Sequence, residues 1–358
     1  MTPGGDGSSR MLALVAAMAH HLESSAQLPG LAAVAKAPRR PRRVLLCGLG
    51  GSAVAGDVAR PLLAASGLET TVWRDYGLPS WLGPDTLIVL SSYSGETEET
   101  LSAARGAIEG GLPAVALTSG GSLAALVGAA QGERRPISLV TFPGGLPPRA
   151  ALGHSLGALL WLLHRAGAIP SPADEIAAAV KVLHEGTTRW TTGERDADGA
   201  DPAELARALL GRFTVIYTTS PEAHGAGLRL KAQLNENAKH PAYTVPFPEL
   251  DHNDIVGWEV LRRRRDDFSL VIVRGGDEHP RTARRVAATR KLLAGEFHAV
   301  HEIAPRGTTA LARMVSLVQF ADYLSCRLAQ AAGVDPLPVA RIDALKAMLA
   351  DGEGGSPS

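Results

Sequence analysis

From Arg42 onward the chain alternates short runs rich in leucine and valine with stretches of helical periodicity, and this alternation restricts the fold more than any other feature. The runs "RVLLCG", "TTVWR", "TLIVLSS", "AVALTS" and "SLVTFP" read as strands, with helices expected after the first, third, fourth and fifth. Strands this apolar belong in a parallel sheet covered on both faces. The expected architecture is therefore a doubly wound α/β unit. Its last helix, "PPRAALGHSLGALLWLLHRAG", is closed by Gly167 and then Pro170, a glycine C-cap and a following proline. A helical connector follows ("SPADEIAAAVKVLHEG", then "DPAELARALLG"), and the alternation restarts. "RFTVIYTTS", a helix through "AGLRLKAQLNENAK", "AYTVPF", "FSLVIVRG", a helix through "RTARRVAATRKLLAG" and "HAVHEIA" lead to a long helix from about Thr308 to Ala332. Element order alone thus predicts a duplicated α/β architecture, two parallel-sheet subdomains in three αβα layers with flanking helices. A last short helix, "PVARIDALKAMLA", has Pro338 near its first turn and Ile342, Leu345 and Leu349 on one face. The expected limits are a tail and helix over 1–35, a first unit over 36–167, a connector over 168–209, a second unit over 210–350 and a disordered tail over 351–358.

With 358 residues, 45% of them hydrophobic, the chain can fill a large core. Its longest apolar stretch is broken by His154 and His164 and falls short of the ~20 residues that span a bilayer. The N-terminal segment carries histidines and an acid where a secretion signal needs an apolar run, so a cytoplasmic location is expected. Cys47 and Cys326 lie far apart and suit neither a disulfide framework nor a zinc cage; both read as small core side chains. Lysines and arginines balance aspartates and glutamates at 36 each, so no overall field recruits nucleic acid or an anionic membrane. Two local basic runs, "KAPRRPRR" and "RRRR" (Arg262 to Arg265), read as a linker and a solvated helix end.

Two loops carry the chemistry. "CGLGGSAVAGD" follows the first strand and opens the first helix; Gly48, Gly50 and Ala53 fit a dinucleotide fingerprint, and Asp75 near the end of strand two is the acid such a site would use. A nicotinamide-dependent oxidoreductase is therefore one alternative, although no other part of a hydride-transfer site is present. "SSYSGETEET", after the third strand, concentrates hydroxyls at a helix N-terminus. Glycines and free amide N–H groups at two helix starts on one sheet edge suit a phosphate monoester, with Gly51, Ser52, Ser92, Ser94 and Thr97 as its ligands. The plainer alternative has Ser94 or Thr97 merely capping the helix.

A strand followed by Gly-x-Gly-Gly-Ser, then a strand followed by "SYSGETEET", resembles the sugar isomerase (SIS) domain, which binds phosphosugars. "LNENAKHPAYTVPFPELDHNDIVGWE", Leu234 to Glu259, is similar to the hallmark segment of the bifunctional phosphoglucose/phosphomannose isomerases, and the resemblance runs from roughly Arg42 to Ala350. It implies interconversion of glucose 6-phosphate or mannose 6-phosphate with fructose 6-phosphate. Ser52, Ser92, Ser94 and Thr97 would hold the 6-phosphate and Arg149 would sit by O1 and O2. Glu236 would move a proton between C1 and C2, His252 would open the ring, and Lys346 would hold or hand over the ring-oxygen proton. The resemblance also implies a homodimer in which His252 comes from the neighbouring subunit. No cofactor is implied, and the histidines lack the spacing of a metal site. The residue types suit the reaction, which needs a ring-opening group, a carboxylate shuttle and a fixed cation for the enediolate. Taken singly, Glu236 also reads as a helix ion pair with Lys239, His252 as an ordinary turn residue and Lys346 as a solvated lysine. Glu96 departs from the small polar residue usual in the family loop, and a carboxylate there would weaken phosphate binding unless it points away or meets a cation. The other alternative is a SIS-type sensor that binds a phosphosugar without turning it over.

Overall fold

The computed structural model describes residues 5–37, 39–192, 200–276 and 278–352. Before the first sheet lie α1 (Gly5–Ala16) and α2 (Met18–Glu23). The first unit follows in order as β1 (Arg43–Cys47), α3 (Gly50–Ala65), β2 (Glu69–Trp73), β3 (Thr86–Ser91), α4 (Glu98–Glu109), β4 (Ala114–Thr118), α5 (Gly121–Gly132), β5 (Ile137–Thr141) and α6 (Leu152–Arg165). Helices α7 (Ala173–Thr192) and α8 (Pro202–Leu209) lead to β6 (Phe213–Thr218), α9 (Pro221–Ala238), β7 (Ala242–Pro246), β8 (Phe268–Val273), α10 (Pro280–Leu292), β9 (Ala299–Ile303), α11 (Ala310–Ala332) and α12 (Ala340–Gly352).

Every strand is parallel to its neighbours, in a five-stranded sheet ordered β2-β1-β3-β4-β5 and a four-stranded sheet ordered β7-β6-β8-β9. The expected fold class, two parallel-sheet α/β units, is the one observed. Central strands are buried along nearly their whole length, as in "VLLC" of β1, "AVALT" of β4 and "SLVIV" of β8, whereas β2 at an edge is only partly covered. This is the burial of a sheet with helices on both faces. One large core cluster takes in side chains of both units. Helix α11 is its spine and packs on α7, α8 and α9, while α3 packs on α9 and so joins the first unit to the second.

Residues near the N-terminus have a place in the packing: α2 lies on α6, and the buried His21 stacks on the buried His154 with ring centroids 4.1 Å apart. Cys47 and Cys326 are buried and free, and burial pushes both thiols up to about 12. In the "RRRR" run, Arg262 pairs with Glu296 and Arg264 with Asp267. Helix α12 contrasts with the others, for Ile342, Leu345 and Leu349 on its apolar face are all exposed. It also runs two residues into the segment expected to be a tail; the rest of that segment, 353–358, lies outside the described residues. No helix among the described residues is long and apolar enough to cross a membrane.

Candidate active site

The glycine loop after β1 and the hydroxyl loop after β3 meet at the carboxyl edge of the first sheet. The Ser52 hydroxyl accepts a hydrogen bond from Tyr93 N at 3.0 Å, and Ser91 Oγ donates to the Ser52 carbonyl at 3.1 Å. Neither α3 nor α4 has a side-chain cap at its start. Their first-turn N–H groups therefore keep the partial positive charge that binds anions. Thr97 occupies the N-cap position of α4 but does not cap it: its hydroxyl lies 2.8 Å from Ser92 Oγ, which also accepts from Gly95 N at 3.1 Å. Ser94 is exposed and accepts from Glu96 N at 3.2 Å. The capping alternative is thus not how these hydroxyls are used. Gly95 has φ +76°, and a Cβ there would lie 2.0 Å from the Gly120 carbonyl, so the loop closes on its neighbour only with glycine.

Glu96, the departure from the family pattern, points away from the hydroxyl cluster. Its carboxylate accepts from Ser122 N at 2.8 Å and from Ser122 Oγ at 2.7 Å, capping the start of α5 from the preceding loop. These two hydrogen bonds hold the carboxyl below its ordinary value.

Arg149 stands on a short 3-10 turn, Pro148–Ala150, after β5. Gly51 lies against this turn, and a Cβ on it would be 2.9 Å from the Pro148 carbonyl, so the glycine loop brings the start of α3 up to Arg149. The guanidinium is buried at 3% exposure, and its donors are directed: Nε to Asn237 Oδ1 at 2.7 Å, Nη2 to the carbonyls of Pro336 (2.7 Å) and Leu337 (2.9 Å), and Nη1 toward Glu236 Oε2 at 3.5 Å. Burial lowers its pKa and the neighbouring Glu236 acts in the opposite sense. Glu236, in the last turn of α9, keeps 27% of its side chain exposed. A part-exposed carboxylate and a buried, fixed cation thus lie together beside the turn that Gly51 approaches.

Behind Arg149 is a buried polar network that the sequence reading did not single out. The Arg149 carbonyl accepts from Arg229 Nη2 at 2.6 Å; Arg229 pairs with Asp322 at 2.8 and 2.9 Å; Gln233 donates to Asp322 at 2.9 Å; and Asn237 Nδ2 donates to Ser325 Oγ at 2.9 Å. The signal was present. Arg229, Gln233 and Asn237 recur every four residues, a polar stripe on a helix face that α11 buries. Lys239 ends α9 in a left-handed conformation, φ 54°, and donates to the carbonyls of Glu236 (2.7 Å) and Pro338 (2.8 Å). The ion pair with the Glu236 carboxylate is absent among the described residues.

Two expected residues stand apart. His252 ends the 3-10 turn Glu249–His252 and is exposed, between Asp251, bound to Arg285 and Thr289 at 2.9 Å, and Asp254, bound to Tyr217 at 2.9 Å and Tyr243 at 3.0 Å. Lys346 is exposed on α12. Among the described residues no hydrogen bond or ion pair joins either one to Arg149 or Glu236. Asp75, the acid of the nicotinamide alternative, is exposed and accepts from Tyr76 N in its own turn, while its neighbour Arg74 pairs with Asp57. No cluster of three or more His, Cys, Asp or Glu side chains among the described residues is arranged to hold a metal ion.

Residues 200–349 match the model of the bacterial phospho-glucose isomerase C-terminal SIS domain. The bifunctional phosphoglucose/phosphomannose isomerase of Caldicellulosiruptor bescii is 38% identical over 310 residues, 86% of this chain and 90% of that protein. The protein of the same name from Aquifex aeolicus is 33% identical over 308 residues, 86% of this chain and 90% of its own. Among solved structures, a hypothetical protein of Thermus thermophilus superposes with a TM-score of 0.71 at 17% identity, covering 98% of this chain and 94% of the other. By the identity it holds over most of its length, the chain belongs to the bifunctional phosphoglucose/phosphomannose isomerase family.

Proposed function

We propose that this protein is an aldose–ketose isomerase that interconverts glucose 6-phosphate and mannose 6-phosphate with fructose 6-phosphate, using its own side chains for every proton transfer. The observation that carries the reading is the continuity from Ser92 and Thr97 through Ser52 and Gly51 to Arg149, and from Arg149 to the Glu236 carboxylate. The 6-phosphate sits against Gly51 N–H and the hydroxyls of Ser52, Ser92, Ser94 and Thr97. With the phosphate anchored, C1 and C2 reach Glu236, which takes the proton from one carbon and returns it to the other across a planar cis-enediol. Arg149 stabilises the negative charge that develops on O1 and O2, and because its other donors are already bound to fixed acceptors it needs no reorganisation to do so.

Ring opening needs a group at O5, and the reading assigns it to the partner subunit's His252 in a homodimer, with Lys346 holding the ring-oxygen proton. The exposed position of His252 in its own chain and the uncovered apolar face of α12 support a second copy. In this reading residues 36–167 form the phosphate-binding unit, 168–209 connect, and 210–350 carry the base. In this reading the reaction runs in the cytoplasm, where a sugar phosphate dianion, which does not cross a bilayer unaided, is retained.

The test is isomerase activity on fructose 6-phosphate in EDTA-treated buffer, following both aldose products, for the wild type beside Glu236→Gln. Formation of both products by the wild type and a loss of ~10²–10⁴ in the variant is the expected result. A wild type that forms neither product while fructose 6-phosphate still raises its melting temperature is a binding protein, and the catalytic roles are then wrong.

A further inference from the structure

The second sheet repeats the first. Its order β7-β6-β8-β9 matches β2-β1-β3-β4, so β6 takes the place of β1 and β8 that of β3. The two loops that build the phosphate site of the first unit therefore have counterparts after β6 and β8. After β6 come Thr219 and Ser220, the N-cap of α9; after β8 come Arg274, Gly275 and Gly276. Between these loops lies a carboxylate. Glu278 accepts from Gly275 N at 3.1 Å, from Thr219 Oγ1, and from Arg274 through Nε at 2.7 Å and Nη2 at 2.6 Å. Its side chain is 9% exposed. Burial raises its pKa, but the hydrogen bonds from Arg274 and Thr219 outweigh burial and hold the carboxyl below its ordinary value.

A backbone N–H, a hydroxyl and a forked guanidinium converging on two oxygens are the donors that bind a tetrahedral oxyanion. The loops are shaped to converge, because a Cβ on Gly275 would lie 1.9 Å from Ser220 Oγ and force them apart. The site is also remote from the candidate active site along α9. From Ser220 to Glu236 the helix rises about 24 Å.

We propose that the loops after β6 and β8 form a second phosphate cradle, which the chain keeps closed with its own carboxylate, Glu278. The ligand class is a small tetrahedral oxyanion, for which inorganic phosphate is the probe. In the native protein Glu278 excludes it. Removing the carboxylate leaves Arg274 with Glu302 as its remaining acidic partner and frees the Thr219 hydroxyl proton, while Gly275 N keeps its bond to Thr219 Oγ1 at 3.0 Å. The likeness of the loops rests on the proposed phosphate site of the first unit, but the test does not, because it reads phosphate binding at the second unit and involves no turnover.

Wild type, Glu278→Ala and Glu278→Ala/Thr219→Val are melted in inorganic phosphate and in chloride at equal ionic strength. Phosphate is expected to raise the melting temperature of Glu278→Ala by several degrees more than that of the wild type, and Thr219→Val is expected to remove the extra rise. An equal rise in wild type and Glu278→Ala overturns the proposal, as does an extra rise that survives Thr219→Val. If Glu278→Ala fails to fold in chloride, it is refolded in phosphate: recovery there supports the cradle, and failure in both salts overturns it.

Discussion

Replacing Arg149 with methionine tests the site and its support together. Methionine keeps only the aliphatic stem of the side chain and removes three hydrogen bonds, those to Asn237 Oδ1, which is fully buried, and to the carbonyls of Pro336 and Leu337. Hydrogen bonds from a charged group contribute about 1.5–3 kcal/mol each, and an acceptor left without a donor loses its hydration as well. The three share one guanidinium and do not add, so the net expected loss is about 3–5 kcal/mol, as for a buried pair broken from one side. The contact to Glu236 at 3.5 Å adds little to stability, because that carboxylate is partly solvated. It matters for rate. Loss of a preorganised donor at a developing oxyanion lowers kcat by about 10²–10³. The assay is a urea titration followed by tryptophan fluorescence, expected to shift by about 1–2 M, with kcat and KM measured where the variant is still folded. Arg149→Lys keeps a cation with fewer directed bonds and is expected to fall between the two in both readouts. The reasoning is refuted if Arg149→Met stays within about 1 kcal/mol of wild type, or if its kcat falls no further than its folded fraction.

Ser92→Ala with Thr97→Val removes the paired hydroxyls of the phosphate loop; KM for fructose 6-phosphate is expected to rise at least about tenfold, corresponding to ~1.4 kcal/mol of lost binding, and an unchanged KM argues against the loop. Glu96→Asn breaks the cap on α5 and is expected to destabilise the fold by about 1 kcal/mol while leaving KM unchanged, as the carboxylate points to Ser122; a tighter KM would mean that Glu96 does oppose the phosphate. Burial, with His21 and His20 nearby, pulls His154 down to about 4 from an ordinary 6.5, so the folded state favours the neutral ring. The stability from this group is complete above pH 6.5 and is lost as the pH falls toward 4, by about 2 kcal/mol at pH 5. In urea titrations at pH 7 and pH 5, His154→Leu is expected to lose less stability between the two than wild type does, and equal losses would place the acid sensitivity elsewhere.

The strands were legible because a parallel sheet covered on both faces demands apolar residues at nearly every position, and "VLLC", "AVALT" and "SLVIV" satisfy that without reference to any partner. The glycine loop and the hydroxyl loop were legible for a related reason: glycines and hydroxyls between a strand and a helix are local chemistry, written in a few adjacent residues. Glu96 was readable as a charge in the wrong place, but its destination was not, since Ser122 lies in the first turn of α5 and meets it only when β3 and β4 are adjacent. The Arg229–Asp322 pair, 93 residues apart, left as its trace only a stripe of three polar residues spaced by four on α9.

By itself, then, the sequence determined the two parallel α/β units, the glycine and hydroxyl loops and the residue types at the candidate centre, because each depends on periodicity or on a few adjacent side chains. Only the tertiary structure decided that Arg149 is aimed at Glu236, that Thr97 turns to Ser92 and does not cap α4, and that Glu278 fills the second unit's loops. Those outcomes depend on distances of a few ångströms between segments far apart in the chain, where hydrogen bonding acts and local pattern carries no information about direction.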